Sequence, residues 1–282
     1  MSLIENTLFG QVNKVDLAIK RLKAFEPAEG YRLCFSGGKD SVCIKRIADL
    51  AGVKYHAVYN ITSVDPPELV RFIKSFSDVE MEQPRYKDGK AKTMWNLIPK
   101  RGMPPTRIMR YCCAELKETG GKGELNITGV RWAESARRRK RHDVVNVFGG
   151  ELIHNHDNDE ARRMVESCYR TSKTLINPIV DWTDGDVWEF IKAEHIPYCC
   201  LYDEGEKRLG CIGCPMASIK GIARDFEKYP KYRAAYIRAF DKMLKVRAEK
   251  GKLTNSKWEN GEQVMDWWIN GNKADMPLFD GE

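Results

Sequence analysis

An α/β fold built on a doubly wound parallel sheet follows from three features of the chain: an apolar run ending in a glycine pair, a helical pattern opening directly after it, and a second apolar run beyond. YRLCFS, residues 31–36, has the length and apolar density of a buried strand. KDSVCIKRIADLAG, residues 39–52, reads as a helix closed by Gly52, and KYHAVYN, residues 54–60, as the next strand. Two strands joined by a crossover helix lie parallel. Upstream, residues 8–25 set Val12, Val15, Ile19, Leu22 and Phe25 at three- and four-residue steps, the stripe of an amphipathic helix that packs on the core. Downstream, PPELVRFIKSF (66–76) carries prolines suited to a helix start, MRYCCAELKE (109–118) is helical in pattern, and ELNITGV (124–130) is an apolar strand stopping at Gly129. Short strands are expected near residues 144–150 and 175–179, then a helix from Thr183, whose hydroxyl caps it, with Asp184 and Asp186 near its positive end. Beyond Pro215 the chain is helical and charged. The expected partition is an N-terminal helix (1–28), a nucleotide-binding α/β domain (29–215) and a helical C-terminal extension (216–282).

With 282 residues, 42 % of them hydrophobic, the chain is long enough for an enzyme-sized core, and its net charge of +7 suits an anionic partner. No apolar run approaches the roughly 20 residues of a membrane helix, and MSLIENTLFG lacks the basic-then-apolar order of a secretory signal. A cytoplasmic protein without membrane contact is expected. In that compartment nine cysteines, with two adjacent pairs and one C-x-x-C, point to metal or sulfur chemistry rather than disulfides.

The stretch SGGKDS (36–41) lacks the spacing of a Walker loop. It still assembles a phosphate cradle. Gly37 and Gly38 admit close backbone approach, Ser36 and Ser41 add hydroxyls, Lys39 adds a point charge, and the helix that follows presents its positive end. A glycine pair alone would read as an ordinary strand-to-helix turn, with Asp40 or Ser41 capping the helix; the added Ser, Lys, Asp and Ser favour phosphate. Gly129 ends a strand where open α/β sheets bind ligands, so Arg131, and Arg137 further on, are candidates to meet a phosphate. The basic residues 138–141 read as a solvated loop, Trp182 and Trp188 as core anchors.

SGGKDS resembles the pyrophosphate-loop signature of the adenine-nucleotide α-hydrolase superfamily, whose members bind ATP, cleave at the α-phosphorus and release pyrophosphate. Three further stretches resemble the phosphoadenosine phosphosulfate reductase family within it: NITSVDPPELVRFI (60–73), GVRWAESARRR (129–139) and NPIVDWTDGDVWEFIKAEHIPYCCLYDEG (177–205). Together they span roughly residues 30–220. The resemblance implies that the loop holds the leaving pyrophosphate of Mg-ATP, with Lys39 and the loop amides stabilising its charge, Asp40 either binding Mg2+ or capping the helix, and Glu134 and Ser135 close to the nucleotide.

Cys112–Cys113 and the C-x-x-C of Cys211 and Cys214 can complete a four-thiolate site for zinc or for an iron–sulfur cluster. Tandem cysteines before AELK with a distant GCIGCP resemble the [4Fe–4S] motif of assimilatory adenylylsulfate reductases, which implies the cluster. Cys199 and Cys200 are alternative ligands or a sulfur relay, because thiolates are the nucleophiles of such transfers. Cys34, Cys43 and Cys168 read as buried apolar thiols. The reductases carry a catalytic cysteine near the C-terminus; no cysteine follows Cys214 here, and Lys39-Asp40-Ser41 is the ATP-type loop, so reduction of a sulfonucleotide is the alternative rather than the first expectation. The combination resembles cluster-bearing ATP pyrophosphatases of sulfur transfer, including DNA phosphorothioation enzymes and PP-loop tRNA thiolases. It implies an acceptor, nucleic acid among the candidates, and a sulfur-donor protein such as a cysteine desulfurase. A non-catalytic subunit sensing ATP and redox state is the remaining alternative. Tyr229, Tyr232, Tyr236 and Phe240, set among Lys and Arg, can track a nucleic-acid backbone, but at helical spacing they read first as core.

Overall fold

The computed structural model describes residues 3–8, 10–135, 139–140, 143–147, 174–251 and 258–270. In chain order the described elements are β1 (Ile4–Thr7), β2 (Gly10–Asn13), α1 (Lys14–Ala24), β3 (Tyr31–Cys34), α2 (Lys39–Ala51), β4 (Tyr55–Asn60), α3 (Pro67–Lys74) and β5 (Val79–Glu82). They continue with α4 (Met94–Arg101), α5 (Tyr111–Leu116), β6 (Leu125–Ile127), β7 (Val145–Val147), β8 (Thr174–Ile176), α6 (Asp184–Ala193), α7 (Ile219–Lys228), α8 (Pro230–Glu249) and α9 (Gly261–Asn270).

The chain forms two compact units, one of residues 1–59, 67–82 and 120–209, the other of residues 60–66, 83–119 and 210–282. The observed division does not follow the linear boundaries expected after residues 28 and 215. Each unit is assembled from separated segments, because the stretches 60–66 and 83–119 join the C-terminal helices rather than the sheet.

The first unit holds a six-stranded sheet of order β5-β4-β3-β6-β8-β7. The pairs β3/β4, β3/β6 and β6/β8 are parallel, and β7 runs antiparallel to β8 at the edge. This is the expected doubly wound α/β architecture: the chain moves outward from β3 to β4 and β5, then returns to the other side of β3 as β6. Helix α2 buries Val42, Ile44 and Ile47 and ends on Gly52, whose φ of 67° supplies the left-handed cap. Helix α6 opens with a reciprocal cap in which Thr183 Oγ1 accepts from Asp186 N at 3.1 Å and Asp186 accepts from Thr183 N at 2.7 Å.

The N-terminus departs from expectation. β1 and β2 pair antiparallel, Ile4 opposite Asn13 and Thr7 opposite Gly10, so Val12 belongs to a strand and the helix starts only at Lys14. Asn13 stops helix propagation toward the N-terminus by accepting from Val15 N at 3.1 Å. Trp182 is fully buried, as expected of a core anchor, whereas Trp188 is half-buried and packs edge-on against Tyr198 and Tyr202.

The second unit is helical. α8 packs on α4 and α9 around Leu97, Phe226, Tyr236, Phe240, Met243 and Trp268. Tyr236 and Phe240 are buried there and Tyr229 and Tyr232 pack against them, so these aromatics build the core as helical spacing implies. Among the described residues no helix is long and apolar enough to cross a membrane.

Ile44 of α2 is fully buried. Ile44→Ala is expected to destabilise the sheet-containing unit by about 2–5 kcal/mol, read as a lower denaturant midpoint in its unfolding transition.

Candidate functional site

The reversal of strand order between β3 and β6 puts the segments leaving their carboxyl ends side by side, and in open α/β sheets that position forms the ligand crevice. The segment after β3 is the glycine turn. Gly37 has φ 71°, and a Cβ there would lie 2.7 Å from both Leu69 Cδ1 and Ile73 Cγ1 of α3, so only glycine lets the turn rest on that helix. Gly38 is the N-cap of α2 and offers no side-chain cap; Ser41 Oγ instead donates to Gly38 O at 2.8 Å. Neither Asp40 nor Ser41 takes the capping position. First-turn amides of a helix have no intrahelical partner, and here Lys39 N donates to the Tyr202 hydroxyl at 2.8 Å. Burial pushes the Tyr202 hydroxyl up to about 12, which keeps it neutral.

The segment after β6 presses on the same helix start: a Cβ on Gly129 would meet Asp40 Cβ at 2.8 Å. Two residues on, Arg131 is 2 % exposed and its guanidinium donates to Asp40 Oδ1 at 2.7 Å, to Trp182 O at 3.1 Å and to Asp184 Oδ1 at 2.7 Å. Glu134 accepts from Arg131 N at 3.3 Å and fixes the backbone. Lys39 Nζ lies 3.2 Å from the same Asp184 oxygen and donates to Lys207 O at 3.1 Å. Two cations and two carboxylates thus alternate around the start of α2. Asp184 is the most open of them, with its side chain 69 % exposed. The Arg131 hydrogen bond, then Lys39, holds its carboxyl below the usual carboxylate range.

Ser36, Gly37, Gly38, Lys39, Asp40, Ser41, Gly129 and Arg131 therefore meet at one place, with Ser36 exposed at the turn. Arg137, Arg138 and Cys168 lie outside the described residues. Sequence reading missed Asp184 and Tyr202 as members of this group. In the sequence Asp184 reads only as a complement to the helix dipole, although its place two residues after Trp182 inside the 177–205 segment is a signal for the site. Cys199 is buried and its thiol is pushed up by burial, while Cys200 is exposed and opens the short turn Cys200–Tyr202 that carries Tyr202.

In the helical unit, Cys112 and Cys113 lie in α5, and Cys211 and Cys214 flank a tight turn closed by Cys214 N donating to Cys211 O at 3.2 Å. Gly213 in that turn has φ 67°, and a Cβ would sit 2.6 Å from Phe226 Cζ. Ile212 N donates to Val64 O at 2.8 Å and the Tyr236 hydroxyl donates to Ile212 O at 3.1 Å, which anchors the turn to the core. Cys112 lies within electrostatic reach of Cys113, Cys211 and Cys214. Two cations attend the group: Arg110 Nη2 donates to Cys113 Sγ at 3.5 Å, and Lys117 lies within electrostatic reach of Cys211. The neighbouring Cys112 thiol, followed by Arg110, lowers Cys113, while Cys112 is raised by Cys113 and by burial.

Among the described residues no three His, Cys, Asp or Glu side chains converge on a point for a single ion. A four-iron cluster gives each thiolate its own iron, and Arg110 and Lys117 offset the charge of four thiolates. Four thiols with two attendant cations are a donor set that fits a four-thiolate site.

The family model described as the phosphoadenosine phosphosulfate reductase domain matches residues 31–217. An uncharacterized protein of Methanocaldococcus jannaschii is 27 % identical over 200 residues, covering 70 % of this chain and 44 % of that relative. An adenosine 5'-phosphosulfate reductase of Burkholderia cepacia is 33 % identical over 110 residues, 39 % of this chain and 38 % of the relative. The chain thus spans less than half the length of these relatives. The solved phosphoadenylyl-sulfate reductase of Candida auris, a phosphate complex, aligns at 13 % identity and a TM-score of 0.48 over 71 % of this chain and 88 % of that one.

A carboxyl whose folded pKa is depressed stabilises the fold above its unfolded pKa and loses that contribution as pH falls through the folded value. Asp184→Asn should accordingly flatten the acid limb of the stability profile below about pH 4, measured by denaturant midpoints across pH; an unchanged acid limb would show that the Arg131–Asp184 contact contributes nothing.

Proposed function

The chain belongs to the phosphoadenosine phosphosulfate reductase domain family, and from that premise we propose that it binds Mg-ATP at the glycine turn and cleaves it to AMP and pyrophosphate, adenylating an acceptor for sulfur transfer. The observation carrying this reading is the Lys39–Asp184–Arg131–Asp40 group at the N-terminus of α2, on the strand-order reversal. Such a helix end attracts phosphate. An arriving triphosphate competes with Asp184 for Lys39, because Asp184 is exposed and retains Arg131 when the lysine turns away. Arg131, with its donors committed to two carboxylates and a carbonyl, acts as a positioning residue for Asp40 and Asp184. Those carboxylates are the oxygen donors available for Mg2+.

In the reaction an acceptor oxygen forms a bond to the α-phosphorus while the bond to the bridging oxygen breaks. The electron pair leaves with pyrophosphate, whose charge Lys39 and the loop amides stabilise. A sulfur nucleophile then displaces AMP, which departs with the bonding pair. Cys112, Cys113, Cys211 and Cys214 would hold the [4Fe–4S] cluster, which with four cysteine ligands leaves no iron open and would tune local electrostatics or hold structure. Cys200 is exposed and fits acceptance of sulfur from a donor protein such as a cysteine desulfurase. The adenosine 5'-phosphosulfate reductase relatives carry a second reading, sulfite release from a sulfonucleotide.

Lys39→Ala is expected to lower pyrophosphate release from Mg-ATP by about 100-fold or more without changing the visible absorption of anaerobically purified protein. Cys211→Ser with Cys214→Ser is expected to bleach that absorption. A Lys39→Ala protein that keeps its rate would overturn the assignment of the loop, and an unchanged spectrum in the serine variant would overturn the ligand set.

A further inference from the structure

A cleft of about 690 Å³ opens in the helical unit between the 85–91 loop and helix α4. The loop is a tight reversal: Arg85 bridges Ala91, Tyr86 N donates to Lys90 O at 2.8 Å, Gly89 N donates to Tyr86 O at 3.0 Å, and Gly89 has φ 81°. Five cations line the cleft, Arg85, Lys87, Lys90, Lys92 and Lys100, against two carboxylates, Asp88 and Glu115. Those carboxylates are already engaged. Glu115 takes Lys92 at 2.6 Å, and Asp88 lies 3.4 Å from Lys90. Among the described residues Arg85, Lys87 and Lys100 have no carboxylate partner; Arg85 donates only to Gly89 O at 2.8 Å. At the centre stands the half-buried ring of Tyr86, its hydroxyl donating to Asn96 Oδ1 at 3.1 Å and its face covered by Lys100 Nζ at 3.9 Å.

We propose that this cleft binds single-stranded nucleic acid, with Arg85, Lys87 and Lys100 on successive phosphates and a base on the Tyr86 ring. The charges are strung along a loop and a helix rather than converging on one point, which suits a chain of phosphates better than one small anion. A ring set among cations is the arrangement with which proteins hold single strands without reading sequence. Lys100, unpaired to a carboxylate and on a flexible stem, can leave the ring face for a phosphate and so vacate the space a base takes. The site lies outside the glycine turn and the four cysteines. Combined with the adenylation reading above, it identifies nucleic acid as the acceptor class, but binding itself does not depend on that chemistry.

The test is fluorescence anisotropy of the full chain with labelled 12-nucleotide oligouridylate, oligothymidylate and a duplex of equal length, titrated across salt. Single strands are expected to bind more tightly than duplex, and the two single strands report whether the natural ligand is RNA or DNA. Arg85→Gln/Lys87→Gln/Lys100→Gln should weaken binding at least tenfold and reduce the slope of log K against log salt by about 2, at about 0.7 per phosphate contact on single strands. Tyr86→Phe should bind as the parent does. Tyr86→Leu, which keeps apolar packing, should lose about tenfold, within the range of base–aromatic stacking. Lys20→Gln/Lys23→Gln/Lys54→Gln, removing equal charge from exposed positions of the other unit, should change little. Absence of binding, equal loss in the control variant, or preference for duplex would overturn the proposal. Lys39→Ala should bind oligonucleotide normally, so failure of the adenylation reading leaves this result distinguishable.

Discussion

The contact on which the architecture around the glycine turn depends is the buried guanidinium of Arg131 held between Asp40 and Asp184. It joins three elements that are distant in sequence: the segment leaving β6, the first turn of α2 and the first turn of α6. A guanidinium that is 2 % exposed is tolerable only with its donors satisfied, and here two carboxylates and the Trp182 carbonyl satisfy them. Gly129 makes the arrangement possible, since a side chain there would collide with Asp40. Lys39 completes an alternating set of charges in which a single exposed member, Asp184, stands where an incoming anion would compete. In the proposed reading, the geometry that holds the loop lets a phosphate replace an internal carboxylate on Lys39.

The helical unit works under a different constraint, the anchoring of a short turn. Gly213 packs on Phe226, Ile212 bonds to Val64 and Tyr236 bonds to Ile212, so the backbone between Cys211 and Cys214 is held by the core. Arg110 and Lys117 stand beside these thiols, as the proposed four-thiolate site requires for charge balance. The basic cleft lined by Arg85, Lys87 and Lys100 belongs to the same unit and carries charge that the local carboxylates do not neutralise.

What was legible in the sequence was local. The glycine turn, the α2 helix with its Gly52 cap and the Thr183 cap of α6 follow from hydrogen-bonding and φ preferences of neighbouring residues, and the structure has them where they were expected. The N-terminal hairpin was hidden because Val12 fits a helical stripe that continues into α1, and only Asn13 marks the break. Helix α4 was hidden by Pro99 within it, a residue that argues against a helix interior. Arg131 was placed correctly at a strand end, but its partners were not visible: Asp40 is 91 positions away and Asp184 is 53 away. The two units interleave along the chain for the same reason, since which segment joins which core is decided by long-range packing.

The central claim is cleavage of ATP at the α-phosphorus. The most direct measurement is a phosphorus NMR spectrum of anaerobically purified protein incubated with Mg-ATP, run beside a parallel incubation with phosphoadenosine phosphosulfate and a dithiol reductant assayed for sulfite. Appearance of AMP and pyrophosphate with no sulfite is the predicted result. ADP with orthophosphate, or sulfite in the parallel incubation without pyrophosphate from ATP, would contradict the account.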